Sequence, residues 1–358
     1  MKNFIELSIF GILAFTLSMC VIPLMRVAAQ KLKLVDVPNA RKVHQTAIPL
    51  IGGLVIGLIV ILLIGASGDR SWKEILPIII TSYIMLFVGT LDDKTDIRAI
   101  YKLGIQISVS VVIAISGTRI TSLYGLFGIY EINIYVQYFL TVLIITAAVN
   151  AFNLIDGIDG LAGGVAGIGF GLFSIIMMIQ GNFGLARIGI LFIGSIVAFL
   201  KYNLSKKNKV FLGNSGSLFL GYLLICLGIY ITKFDSSTSN FPYGIFFILF
   251  VFTIPVIDSA RVYADRILRG KSPFKADKTH IHHHLLQLGL PHRTITLIFL
   301  SINILVLTIQ IVFFRSYSVY TALLSFLVFI LTFKIIKIGN LFITWKKNIR
   351  QMENTQIL

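Results

Sequence analysis

The chain is 358 residues long, 56% hydrophobic and only 13% charged, with a net charge of +16. Ordinary soluble domains carry roughly a quarter of their residues as charges, and no soluble core of this length could bury so much apolar surface. The composition excludes a soluble globular protein. It leaves the basic excess to be explained by placement, because excess base alone would also fit a nucleic-acid binder.

Eleven apolar runs are centred near Leu13, Leu58, Ile84, Val111, Ile144, Leu172, Phe192, Leu223, Leu249, Ile304 and Leu327. Each is close to the roughly 20 residues that cross a hydrocarbon core of about 30 Å. They predict an all-α polytopic membrane protein of about eleven transmembrane helices, a single transmembrane domain over 1–358. The first run is followed by basic residues and lacks a small-residue cleavage motif, so it is expected to be a retained span. Cys20 and Cys226 fall in or beside apolar runs and imply no disulfide framework.

With an outside N-terminus, one face collects 26–48, 91–102, 151–160, 201–215, 258–293 and the tail after 333, and holds 24 of the 31 Lys and Arg residues. That bias is the positive-inside pattern, so this face is expected to be cytoplasmic. Basic charge there attracts anionic lipid headgroups and phosphorylated substrates. Nucleic acid is not needed. All six histidines and ten of the fifteen acids are expected on the same face. The other five, Glu6, Asp69, Glu74, Glu131 and Asp235, are expected in short turns without a cluster. A solute transporter would place acids at mid-membrane depth, whereas these groups sit at span ends and in loops.

Five clusters follow along the chain. Asp36-Val-Pro-Asn-Ala-Arg41-Lys-Val-His44 opens a turn with basic residues suited to phosphate, ahead of Gly52-Gly53. Asp92-Asp93-Lys-Thr-Asp96 closes a span; adjacent carboxylates there repel each other unless a cation sits between them. Asp92 and Asp96, four apart, are expected to share a helical face. The run from Asn150 through Asn153, Asp156 and Asp159 to Gly164 places two acids, three apart, in an apolar setting with no basic residue nearby in sequence. A metal or a cationic partner is expected for them. Phe211-Leu-Gly-Asn214-Ser-Gly-Ser opens the next span and could present backbone N–H groups to a phosphate. Last come Asp258, Arg261, Asp265, Arg266 and Arg269, then His280, His282, His283 and His284, on the longest extramembrane stretch, 258–293. No cysteine stands near these histidines; they are expected to position or protonate phosphate oxygens, with zinc binding as the alternative.

In order and spacing, Asp92-Asp93, Asn153-x-x-Asp156-Gly-x-Asp159-Gly160, FLGNSGS and HIHHHL resemble the polyprenyl-phosphate N-acetylhexosamine-1-phosphate transferases, over about 35–295. The stretch 272–283 resembles the branch that uses UDP-N-acetylhexosamines for O-antigen, common antigen, capsule or teichoic-acid linkers. The resemblance implies an enzyme of the bacterial inner membrane. In it, undecaprenyl phosphate attacks the β-phosphorus of a UDP-sugar and releases UMP, with Mg²⁺, or Mn²⁺ in its place, as cofactor. It implies catalytic roles for Asp92, Asp93, Asp156, Asp159, His282 and His283. Substrate binding would fall to Asn153, Arg41, Lys102, His280, His284 and Arg266, and metal ligation to Asp92, Asp93, Asp156 and Asn214. Partners are the two substrates and membrane lipids, and a homodimer is compatible with the sequence. An alkyl phosphate with a second pKa of about 6 is mostly dianionic at neutral pH, so direct attack is expected, with Asp93 at most assisting. One position departs from the pattern. The family carries Asp as a magnesium ligand in the FLG-x-x-GS turn where this chain has Asn214, which leaves a weak member or a silent membrane scaffold as the alternative.

Overall fold

A computed structural model of the chain describes residues 2–37, 46–126, 129–235, 243–270 and 280–313, with scattered positions between 327 and 339. The described chain runs α1 (Lys2–Lys31), β1 (Val35–Asp36), β2 (Ile48–Pro49), α2 (Gly52–Ala66), α3 (Leu76–Thr95), α4 (Ala99–Ile115), β3 (Ser122–Leu126), β4 (Ile129–Glu131), α5 (Ile134–Leu154), α6 (Leu161–Ile179), α7 (Phe183–Asn203), α8 (Gly213–Ile231), α9 (Tyr243–Leu268), α10 (Ile281–Gln287) and α11 (His292–Phe313). Among the described residues, eight helical segments are long and apolar enough to cross a membrane, and α2 and α4 are shorter apolar helices. The molecule is a multi-pass membrane protein. Ten of the predicted runs coincide with helices; the run near Leu327 falls largely outside the described residues.

The centre of the bundle is α8, buried along nearly its whole length and packed by α2, α3, α5, α6 and α9. A helix apolar all round belongs in such a position. Its approach to neighbours is set by small residues, which let membrane helices touch backbone to backbone. A methyl group at Gly53 of α2 would collide with the backbone of Gly216, and one at Gly89 of α3 with that of Asn214 and Ser215. These contacts bring the start of α2 and the end of α3 to the start of α8. The short antiparallel pair β1–β2 lies beside them, and the Phe211 amide donates to the Pro49 carbonyl at 2.9 Å.

The two ends of the bundle differ in chemistry. One gathers the ends of α3, α5, α7 and α9 with the starts of α4, α6, α8 and α11, and carries every candidate site residue described. Three of the five acids at the other end, expected to be unclustered, are in fact paired. Arg187 meets Glu6 at 2.6 Å and Asp69 at 3.4 Å, and Glu74 accepts from the Tyr230 hydroxyl at 2.9 Å. Side chains far apart in sequence, on the turn before α3 and on α1, α7 and α8, lock this end together.

Candidate active site

Asp92 and Asp93 sit in the last turn of α3, where carboxylates oppose the helix dipole. Each is compensated by a different partner. Asp92 accepts from the Lys102 ammonium at 2.8 Å and from the Ile97 amide at 2.9 Å, tying the corner between α3 and α4. With a side chain only 1% exposed, Asp92 is an internal ion-pair member, and Lys102 is engaged with it. Asp96 does not share its face: it ends α3 at φ 51, a left-handed conformation that Asp adopts more readily than most residues.

Asp93 turns toward α8. Its carboxylate accepts from the Asn214 amide at 2.8 Å and the Ser215 amide at 3.0 Å. The glycine-rich turn, expected to offer these N–H groups to a phosphate, gives them to Asp93 instead. Gly213 begins the helix at φ 77, where a side chain would strike that carboxylate. Among the described residues, the Asn214 side-chain amide has no hydrogen-bond partner.

At the end of α5, the Asn153 side-chain carbonyl accepts from the Ser217 hydroxyl. A single 3-10 turn, Ile155–Gly157, then releases the chain from the helix. Asp159 meets Lys209 at 2.6 Å and His292 at 3.1 Å, and Asn203 accepts the next amide, that of Gly160, at 2.6 Å. Burial pushes the Asp159 carboxyl upward, but the His292 hydrogen bond and the Lys209 ammonium outweigh it and hold it below the usual range. Of the two acids for which a metal or cationic partner was expected, Asp159 finds one in Lys209, supplied by the α7–α8 connection. Asp156 is treated differently. It receives no hydrogen bond among the described residues, and the carboxylates of Asp93 and Asp159 bear on it electrostatically.

The histidine run stands on the far side of this turn. The extramembrane stretch expected from 258 opens helical, as α9 continues past its internal Pro255 to Leu268. Asp258, buried near the end of α9, bonds His280 Nδ1 at 2.8 Å and Arg261 at 2.8 Å. His280 and His282 lie in parallel planes with ring centroids 5.6 Å apart, and His283 lies tilted, its centroid 4.3 Å from that of His282. His282 approaches the aspartate turn, its Nε2 being 3.5 Å from where a Gly157 side chain would start. Burial, with His283 and His280 alongside, pushes the His282 imidazole down to about 3, so it is neutral at physiological pH. His284 faces Phe333 at 6.0 Å, and burial together with nearby Arg261 lowers its pKa. Arg266 is buried on α9.

The structure thus gathers Asp93, Asn153, Asn214, Asp156, Asp159 and His282 at one end of the bundle, while Asp92 and Lys102 neutralise each other. Arg41 and His44 lie outside the described residues, as does 271–279. Sequence reasoning missed Lys209, His292 and Asn203 and gave Asp258 no role. Signals existed: Lys209 lies two residues before the glycine-rich turn, and His292 is a solitary histidine at a span start.

The apolar bundle carries a carboxylate-rich polar end, and residues 75–232, from the approach to α3 to the end of α8, match glycosyl transferase family 4, which makes the protein a membrane-embedded glycosyl transferase. The chain belongs to this family. It is 32% identical over 336 residues to the "Probable undecaprenyl-phosphate N-acetylglucosaminyl 1-phosphate transferase" of Bacillus subtilis (strain 168), covering 92% of this chain and 90% of that protein. Proteins named undecaprenyl-phosphate alpha-N-acetylglucosaminyl 1-phosphate transferase are similar too. That of Salmonella typhi is 34% identical, covering 75% of this chain and 74% of the relative. That of Pasteurella multocida (strain Pm70) is 35% identical, covering 75% and 76%.

Proposed function

We propose that the chain transfers N-acetylglucosamine 1-phosphate from its UDP conjugate to undecaprenyl phosphate, at the cytoplasmic face of the bacterial inner membrane. A lipid phosphate oxygen forms a bond to the β-phosphorus, the bond from that phosphorus to the bridging oxygen breaks, and UMP leaves. The lipid diphosphate sugar that remains is the kind of carrier from which a cell-surface polysaccharide is begun. Support comes from the names of the relatives and, within this chain, from Asp156. It is a carboxylate without a hydrogen bond among the described residues, next to two further carboxylates, at the polar end of the bundle. Sidedness rests on the 24 basic residues assigned to that end.

The residues fit a magnesium ion. Among the described residues no three acidic, cysteine or histidine side chains form a preassembled metal cluster. Mg²⁺ does not need one, because it commonly binds through one or two carboxylates together with substrate phosphates and water. Asp156 would hold it, with Asp93 and the Asn214 side-chain amide as neighbouring donors. Bound there, the ion supplies charge neutralisation where two anionic phosphates meet. The protein's own part is positional. Asp93 fixes the start of α8, Lys209 holds the aspartate turn through Asp159, and His282 abuts that turn as a neutral ring.

Inverted membrane vesicles given UDP-N-acetylglucosamine and undecaprenyl phosphate should release UMP and form the lipid diphosphate sugar. Excess chelator or Asp156→Asn should reduce the rate by a hundredfold or more, as roughly 3 kcal/mol of transition-state stabilisation is lost. Right-side-out vesicles given the sugar nucleotide should form none. Undiminished turnover in chelator would overturn the metal site, and product in right-side-out vesicles would overturn the sidedness.

A further inference from the structure

The buried carboxylate of Asp258 has no part in the chemistry above, yet its surroundings are fully built. It is 4% exposed, and one oxygen accepts from the Arg261 guanidinium at 2.8 Å and the Ile281 amide at 3.2 Å. Its other oxygen lies 2.8 Å from His280 Nδ1. A carboxylate that already takes two N–H donors is an acceptor, so the hydrogen of this contact belongs to Nδ1. In the neutral ring, Nε2 is then left with its lone pair, on the opposite side of the imidazole. Among the described residues nothing hydrogen-bonds that nitrogen. The ring is also held in plane, stacked 5.6 Å from His282 at an interplanar angle of 3°, and His282 in turn rests against Gly157 beside Asp156.

We propose that Asp258 is a positioning residue that locks His280 in the tautomer whose Nε2 accepts a hydrogen bond, so that His280 recognises a donor group on the sugar nucleotide. The inference rests on the transfer reaction proposed above. It also narrows the partner atom. A neutral ring with Nε2 as acceptor pairs with an O–H or N–H, such as a sugar hydroxyl, the acetamido N–H or the uracil N–H. A bare phosphate oxygen offers it no hydrogen.

Asp258→Asn replaces the carboxylate with an amide that can donate to Nδ1, releasing the other tautomer and removing the acceptor at Nε2. An unmade hydrogen bond of this kind should raise KM for UDP-N-acetylglucosamine by roughly tenfold to a hundredfold, with kcat at saturation changed much less. On a His280→Ala background, Asp258→Asn should add nothing to KM. In purified protein labelled with 15N-histidine, the His280 resonances, assigned by their loss in His280→Ala, should report a proton on Nδ1. Asp258→Asn should shift that proton to Nε2. A wild-type His280 bare at Nδ1, or a KM effect of Asp258→Asn that persists without His280, would overturn the proposal. Absence of turnover in wild type would overturn the transfer reading instead, and the resonances would still decide whether the pair exists.

Discussion

Removing the Asp93 carboxylate is the sharpest test of how the site is built. Asp93 holds two of the free amides in the first turn of α8, and α8 is the helix around which the bundle packs. Hydrogen bonds to a charged group contribute about 1.5–3 kcal/mol each, which sets a ceiling near 6 kcal/mol. Losing a helix cap generally costs about 0.5–2 kcal/mol. Asp93 is partly buried at a polar end, so Asp93→Ala should cost about 3 kcal/mol, between these limits. Asp93→Asn keeps one acceptor oxygen but points an N–H at the other amide, and should cost somewhat less. At roughly 2–4 °C per kcal/mol for larger domains, the alanine variant should melt about 6–12 °C lower. A fluorogenic thiol dye provides the assay, because Cys226 is buried and becomes reactive only on unfolding, once exposed Cys20 is replaced by serine. Both variants melting at the wild-type temperature, with turnover lost, would refute the capping role and make Asp93 a residue that acts on substrate.

The other predictions concern protons and metal. His282 takes a proton near 6.5 when unfolded but only at about 3 when folded. Between these values the unfolded chain binds more protons, so stability should fall on acidification by about 1.4 kcal/mol per pH unit. His282→Asn should flatten that dependence between pH 6 and 4 in the same melting assay, and an unchanged slope would refute the neutral buried ring. Asn214→Asp should lower the Mg²⁺ concentration for half-maximal transfer, because a hard divalent ion prefers an anionic oxygen to an amide. It should leave melting nearly unchanged, since the backbone amide that meets Asp93 remains. A higher Mg²⁺ requirement would show that repulsion from Asp93 wins, and no turnover in either form would favour a silent scaffold.

What could be read from the sequence followed physical range. Apolar runs of membrane-crossing length depend only on local composition, and ten of them are helices. The gathering of polar motifs at one end follows from alternation of spans, so Asp93, Asp156, Asp159 and the histidines were legible as neighbours. Their pairing was not. Whether Asp93 faces a metal or the start of α8 depends on the closeness of α3 and α8 at Gly89, a contact across more than a hundred residues. Lys209 reaches Asp159 across fifty. Asp258 stood in sight, three residues before Arg261, but its bond to His280 depends on how the fold brings the start of α10 to α9. The sequence reading could say that buried carboxylates need partners, and the fold decides which ones.

The central place of α8 also has a consequence for biogenesis. Four of its neighbours, α2, α3, α5 and α6, are synthesised before it, but the fifth, α9, comes after. Gly228 on α8 forms the seat for Phe247 and Ile248 of α9. Chains grow from the N-terminus, so as α8 enters the bilayer it finds most of its cage already standing, with one wall open to lipid. That wall closes only when α9 arrives, and the same helix carries Asp258 to the polar end. Completing the central column and setting the histidine run in place are thus one event in the life of the nascent chain.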